Sequence, residues 1–297
     1  MTRDQLLAAV EPLRAREPVG TPTPEELAAY PAAESLFHIP ADDGHPIPVY
    51  RITPQTMPEH PDRVPLVINF HGGGFIRGWD IRSGFFCRKL ALAHQCVVWD
   101  VDYRVAPEDP FPTAVLESYR VAAYAFEHAR ELDIDPARII LTGHSAGANL
   151  AATVCMRAGE TRAFRPAGLI MDYPPLDVYT DPASKPREEG DSAPEDANIY
   201  NASYCQNGEG KNPYASPVFA ELSMLKHFPE TLMITCQLDK LCREGERFAS
   251  MLVEAGITVT CRRFVNSLHG FTVSRTDEWE GAMELIHRFI RQRLEHI

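Results

Sequence analysis

From residue 65 onward, short apolar runs rich in Val and Ile recur: Leu66–Phe70, Cys96–Val101, Arg138–Thr142, Ala167–Met171, Leu232–Cys236 and Val259–Val265. Helical patterns lie between them, at about 82–94, 112–131, 146–158, 243–255 and 277–293. A strand without polar alternation is one covered on both faces, and strands separated by helices are joined by crossovers. The pattern therefore predicts an α/β fold, a mostly parallel sheet with helices on both sides. Upstream, Leu6, Leu7, Val10 and Leu13 mark one face of an amphipathic helix. Thr23, Pro24 and Glu26 form a capping-box signature for a second, short helix. Residues 35–52 read as two strands around the turn Asp42-Asp43-Gly44.

The alternation fails once. Between Pro174 and Pro229 the chain reads as turn and helix, without a strand. A structureless loop of that length is rare in a compact domain, so a lid or cap is expected there. Proline supports the same division. Of 25 prolines among 297 residues, twelve fall in 1–65 and nine in 166–229. A sheet interior needs every ladder donor and excludes proline, whereas caps and turns accept it. The expected organisation is one domain, with a core of 46–175 and 226–297 and a cap of 1–45 and 176–225.

A formal net charge of −12 removes the electrostatic attraction that supplies most nucleic-acid affinity. No apolar signal region and no stretch of 18 apolar residues occurs, so neither export nor a membrane partner is expected. The seven cysteines are odd in number and lie mostly in apolar segments. Free thiols in a reducing cytoplasm are the simplest account.

The chemistry concentrates after strands. Gly143-His144-Ser145-Ala146-Gly147 matches G-x-S-x-G between a predicted strand and a predicted helix, the context of a serine nucleophile on a strained turn. His71-Gly72-Gly73-Gly74 follows an earlier strand. Its glycines allow close backbone approach, so N–H groups there, with that of Ala146, are candidate donors to an oxyanion. A serine nucleophile needs a base, and the base needs an orienting acid. His269 follows the last strand and is the candidate base. Asp239, past the strand Leu232–Cys236, is the favoured acid, with Asp177 and Asp172 as competitors. Arg104, Pro107 and Glu108 read as a charge-stapled turn. No metal-binding spacing is present, Cys236 and Cys242 included, so no metal is expected.

Together, residues 71–75, 102–108, 143–151, Asp239 and 268–271 resemble the hormone-sensitive-lipase-like branch of the α/β-hydrolase superfamily, the bacterial esterase and acetylesterase group. The resemblance spans about 65–295. It implies an eight-stranded core with a helical cap, a triad of Ser145, Asp239 and His269, oxyanion donors Gly73, Gly74 and Ala146, and a loop shaped by His71 and Gly72. It implies no cofactor. The usual elbow of this group reads G-D-S-A-G-G, so His144 and Ala148 depart from it. His144 is expected to disturb local electrostatics or to contact a neighbouring loop, and Ala148 to alter packing only.

The expected activity is hydrolysis of small, short- to medium-acyl esters through an acyl-enzyme. Phe75, Trp79 and Tyr204, with Phe85, Phe86 and Tyr200, are candidates for a substrate pocket. An amidase or peptidase using the same triad is the alternative within enzymes, and a non-catalytic ligand-binding member of the fold is the alternative outside them. A homodimer formed through the last strand is compatible with the pattern.

Overall fold

The computed structural model describes residues 1–55, 57, 63–186 and 193–295. Part of the predicted insertion, 187–192, lies outside these. Eight strands form one sheet: β1 (Ala32–Pro40), β2 (Pro46–Pro54), β3 (Val64–Phe70), β4 (Val97–Val101), β5 (Ile134–His144), β6 (Gly168–Asp172), β7 (Thr231–Leu238) and β8 (Val259–Leu268). Their order is β1-β2-β4-β3-β5-β6-β7-β8. The hairpin β1–β2 is antiparallel and joins β4 antiparallel, and every later pair is parallel. Residues 32–45, grouped by sequence with the cap, supply β1 and the turn into β2.

Two cores flank the sheet because side chains alternate along each strand. Leu66, Ile68 and Phe70 of β3 face one core. It is closed by α4 (Thr113–Glu127), α5 (Ala146–Thr161) and α8 (Cys242–Glu254), which contribute Val121, Leu150 and Phe248. Val67, between them, faces the other core. There α3 (Ile81–His94) and α10 (Trp279–Glu295) contribute Leu90 and Ile286. Strands β3, β4 and β6 are buried almost throughout, as their largely apolar runs predict.

The last strand departs from that expectation. β8 is the sheet's outer edge, pairs only with β7, and exposes most of its length, Val265 included. An edge strand has one neighbour, and its charged residues, here Arg262 and Arg263, oppose further pairing.

Outside the sheet, α1 (Arg3–Arg14) and α2 (Pro24–Ala29) both start with capping boxes, Thr2–Gln5 and Thr23–Glu26. Leu6, Val10 and Leu13 of α1 are buried. The insertion carries α6 (Pro194–Tyr204) and α7 (Leu222–Leu225), and a one-turn helix, α9 (Phe271–Ser274), precedes α10. α1 meets α6 across the chain: Val10 and Leu13 cluster with Ile76 and Ala106, against Ile199 and Tyr200. Arg16 and Asp196 form an ion pair there at 2.5 Å. Among the described residues no helix is long and apolar enough to cross a membrane.

Candidate active site

Ser145 stands between β5 and α5 with φ 51° and ψ −122°, a left-handed backbone that side chains rarely adopt. Its N–H donates to the Asp172 carbonyl at 2.8 Å, which anchors the turn to the end of β6. The flanking glycines are steric requirements. A Cβ on Gly147 would lie 1.9 Å from the Phe70 carbonyl oxygen, and one on Gly143 would lie 2.4 Å from the Gly147 backbone. Strand and helix therefore approach closely only without those side chains, and the serine is pushed to the apex.

The carboxyl ends of β7 and β8 bring the other two groups. Asp239 follows β7, is 4% exposed, and accepts the Leu241 N–H through Oδ1 at 3.0 Å. His269 follows β8 and precedes Gly270, whose φ of 84° turns the chain into α9. His269 Nδ1 lies 2.7 Å from Asp239 Oδ2, and His269 Nε2 lies 2.9 Å from Ser145 Oγ. A carboxylate only accepts, so Nδ1 carries the proton toward Asp239. The Nε2 lone pair is then free to accept from the serine hydroxyl.

On the other side of Ser145, the loop after β3 turns through Gly73 (φ 126°) and Gly74 (φ 62°). A Cβ on Gly72 would sit 3.5 Å from Ser145 Cβ, so this backbone lies against the serine. Ala146 opens α5, and first-turn amides have no acceptor within their own helix. His71 holds the loop from beneath. Its Nδ1 is 2.7 Å from the Gly72 carbonyl, its ring stacks on Tyr103 at 4.2 Å, and its own carbonyl accepts the Tyr103 hydroxyl at 2.7 Å. From the insertion, the Tyr200 ring comes down onto the loop, 2.9 Å from where a Cβ on Gly74 would be.

The structure thus brings together Ser145, Asp239, His269, Gly72, Gly73, Gly74 and Ala146. It does not bring Phe75, Trp79 and Tyr204 into the cavity at Ser145. Phe75 and Tyr204 stack at 3.8 Å and are buried in the core. Trp79 stacks on Tyr50 at 4.2 Å and donates its indole N–H to Asp100 at 2.6 Å. These rings are consumed by packing. Phe85 and Phe86 are buried in the same way. Asp177 caps the turn into the insertion, accepting the Tyr179 and Thr180 N–H groups. Arg104 is a charge staple, reaching Glu117, Asp109 and Asp43.

Two arrangements escape a reading of the sequence. His144, beside the serine, does not face solvent: its Nδ1 lies 3.0 Å from the Asp172 carboxylate and its ring stands edge-on to Phe86 at 4.3 Å. Burial pushes the Asp172 pKa up, opposed by His144. Beneath the loop after β3, Asp100 accepts from Asn69, Ser83 and Trp79, and burial raises its pKa too. The equal register of His144 and Asp172 in the β5–β6 ladder was the available signal, but it requires knowing which strands are neighbours. Among the described residues no group of three or more His, Cys, Asp or Glu side chains could hold a metal ion.

A family model for the alpha/beta hydrolase fold matches residues 67–273. The chain is an α/β-hydrolase. This hydrolase is 32% identical to an arylesterase of Saccharolobus solfataricus over 69% of its own length and 68% of the relative's. It is 29% identical to a carboxylesterase of Mycobacterium tuberculosis, over 71% and 67%. In structure it is similar to a fungal esterase from Rhizomucor miehei, with TM-score 0.84 at 25% identity, covering 99% of this chain and 90% of the other. The hydrolase belongs to the esterase branch that its glycine loop and serine elbow resemble.

Proposed function

We propose that this hydrolase is a carboxylic ester hydrolase that cleaves small, short- to medium-acyl esters through an acyl-enzyme on Ser145. The single observation that carries the mechanism is the hydrogen-bonded line Ser145 Oγ, His269 Nε2, His269 Nδ1, Asp239 Oδ2, at 2.9 and 2.7 Å. The class agrees with the relatives named as arylesterase and carboxylesterase.

His269 takes the Ser145 proton as Oγ attacks the ester carbonyl. The N–H groups of Gly73, Gly74 and Ala146 stabilise the oxyanion. His269 protonates the departing alcohol, then takes a proton from water as that water attacks the acyl group. Asp239 holds the tautomer and the forming imidazolium. The small-ester preference is supported by cramped space: the cavity at Ser145 holds about 80 Å³, against roughly 300–1,000 Å³ for sites of drug-sized ligands. Residues 1–31 and the insertion act as a two-piece cap, a role supported by Tyr200 lying on Gly74 and by the contact of α1 with α6.

A fluorophosphonate probe tests the reading. Covalent labelling of Ser145, abolished in Ser145→Ala, is the expected result, together with hydrolysis of 4-nitrophenyl acetate faster than of long-chain triglycerides. Absence of labelling in the intact protein overturns it.

A further inference from the structure

Tyr173, directly after β6, holds a backbone that bulky side chains rarely adopt. Its φ is 40°, in the left-handed region. The consequence is a change of face. Along β6, Leu169 and Met171 point into one core and Ile170 into the other, the alternation of any strand. Continued one step past Asp172, that alternation would send Tyr173 to the side of Met171. Its ring lies instead in the core of Ile170. The turn is anchored on both sides. The Tyr173 N–H donates to the Ile234 carbonyl at 2.9 Å, and the preceding Asp172 carbonyl accepts the Ser145 N–H at 2.8 Å.

The ring so placed reaches the base. Tyr173 is 3% exposed and walls the cavity at Ser145. Its ring meets that of His269 close to edge-on, with centroids 4.9 Å apart and planes at 66°, inside the range of favourable aromatic pairs. Behind it stands Phe271 at 5.9 Å, and behind that Phe264 at 5.2 Å, both buried. A line of three packed rings therefore runs from the core to the imidazole.

His269 needs such a support. Its hydrogen bonds to Asp239 and Ser145 belong to one rotamer, and its side chain is 33% exposed. Swung toward solvent, the ring would find water for both nitrogens, and exchanging a protein hydrogen bond for one to water changes the free energy little. Contact with an apolar ring is not replaced by water in that way, so packing selects the rotamer that hydrogen bonding alone leaves loosely held.

We propose that Tyr173 is a positioning residue for the reaction: its ring, set by the strained turn after β6, holds the His269 imidazole in the rotamer that joins Ser145 to Asp239. The proposal rests on the reading of His269 as the base of Ser145. Strained backbone persists where the surrounding structure over-determines it, and it gathers at functional sites. Here the strained turn is what directs the ring to the base and away from the opposite core.

The test compares Tyr173→Ala, which removes the ring, with Tyr173→Phe, which keeps it. Hydrolysis of 4-nitrophenyl acetate is measured per site labelled by the fluorophosphonate at completion, so unfolded molecules do not count. Tyr173→Ala should lower kcat about 100-fold, the effect of a misplacement of about 1 Å. KM should stay unchanged, because both half-reactions use His269. A second readout is the downfield proton NMR signal of His269 Nδ1–H, identified by its absence in His269→Gln. It should be lost to exchange in Tyr173→Ala, while Tyr173→Phe restores both kcat and the signal. Wild-type kcat in Tyr173→Ala, a loss carried by KM, a retained Nδ1–H signal, or a Tyr173→Phe variant as impaired as Tyr173→Ala overturns the proposal. Absence of labelling in the unsubstituted protein, or full activity in His269→Gln, would instead overturn the reading of the Ser145–His269 line on which it rests.

Discussion

Two histidine–carboxylate pairs flank Ser145, and they are chemically alike. His269 and Asp239 meet at 2.7 Å, His144 and Asp172 at 3.0 Å, each through Nδ1. Their surroundings differ. The His269 side chain is 33% exposed and reaches the serine oxygen with Nε2. The His144 side chain is 3% exposed over a carboxylate with no exposure at all. The elbow explains the difference: at the sharp turn, adjacent side chains diverge, so the residue next to the serine in sequence is aimed away from it. A histidine 124 positions distant is delivered to the serine by the sheet. Sequence proximity to a nucleophile therefore says little about catalytic partnership, while strand order says a great deal.

The comparison breaks first at the carboxylates. Asp239→Asn should lower kcat about 10⁴-fold by favouring the wrong tautomer of His269. Asp172→Asn should lower it by far less, because the Asp172 carboxylate meets His144 and not the line from Ser145 to Asp239. Steady-state kinetics on one ester, with both variants at equal folded concentration, check this, and equal losses would mean that both pairs serve the chemistry. Next in size is the loop opposite. Gly74→Ala places a methyl group against Tyr200 at a φ of 62°, displacing a proposed oxyanion donor, and a fall in kcat of about 100-fold is expected.

Thermal unfolding sharpens the contrast from the stability side. Asp172→Asn should lower Tm because His144 loses a charge-assisted partner in a sealed site, by the equivalent of about 1–3 kcal/mol. The smallest effect concerns a third buried carboxylate, Glu244, which accepts the Leu176 N–H and pairs with Lys185 at 2.6 Å. Burial raises its pKa from 4.5 to about 7, against the pull of Lys185. The folded state then binds a proton that the unfolded chain has released, so this contribution to stability is present below about pH 4.5 and is lost as pH rises to about 7. Tm should fall across that window, and Glu244→Gln should flatten the slope.

Much of the site was legible in advance because its signals are local. Gly143 and Gly147 are required by contacts that any strand-to-helix elbow makes, and the glycines at 72–74 allow backbone to lie against a reacting centre. Asp239 and His269 could be named because each follows a strand end, where parallel sheets gather their chemistry. The aromatic pocket residues were not legible. Phe75, Trp79 and Tyr204 look alike in sequence whether they face a substrate or one another, and the partners that engage them, Tyr204, Tyr50 with Asp100, and Phe111, come from elsewhere in the chain.

The sequence by itself determined the α/β alternation, the strained serine turn and the identity of the three groups on the hydrogen-bonded line, because periodicity, glycine sterics and chain order are local properties. Only the tertiary structure decided that β8 is an exposed edge, that Tyr200 rests on Gly74, and that His144 turns inward to Asp172. Those depend on which strands and helices become neighbours.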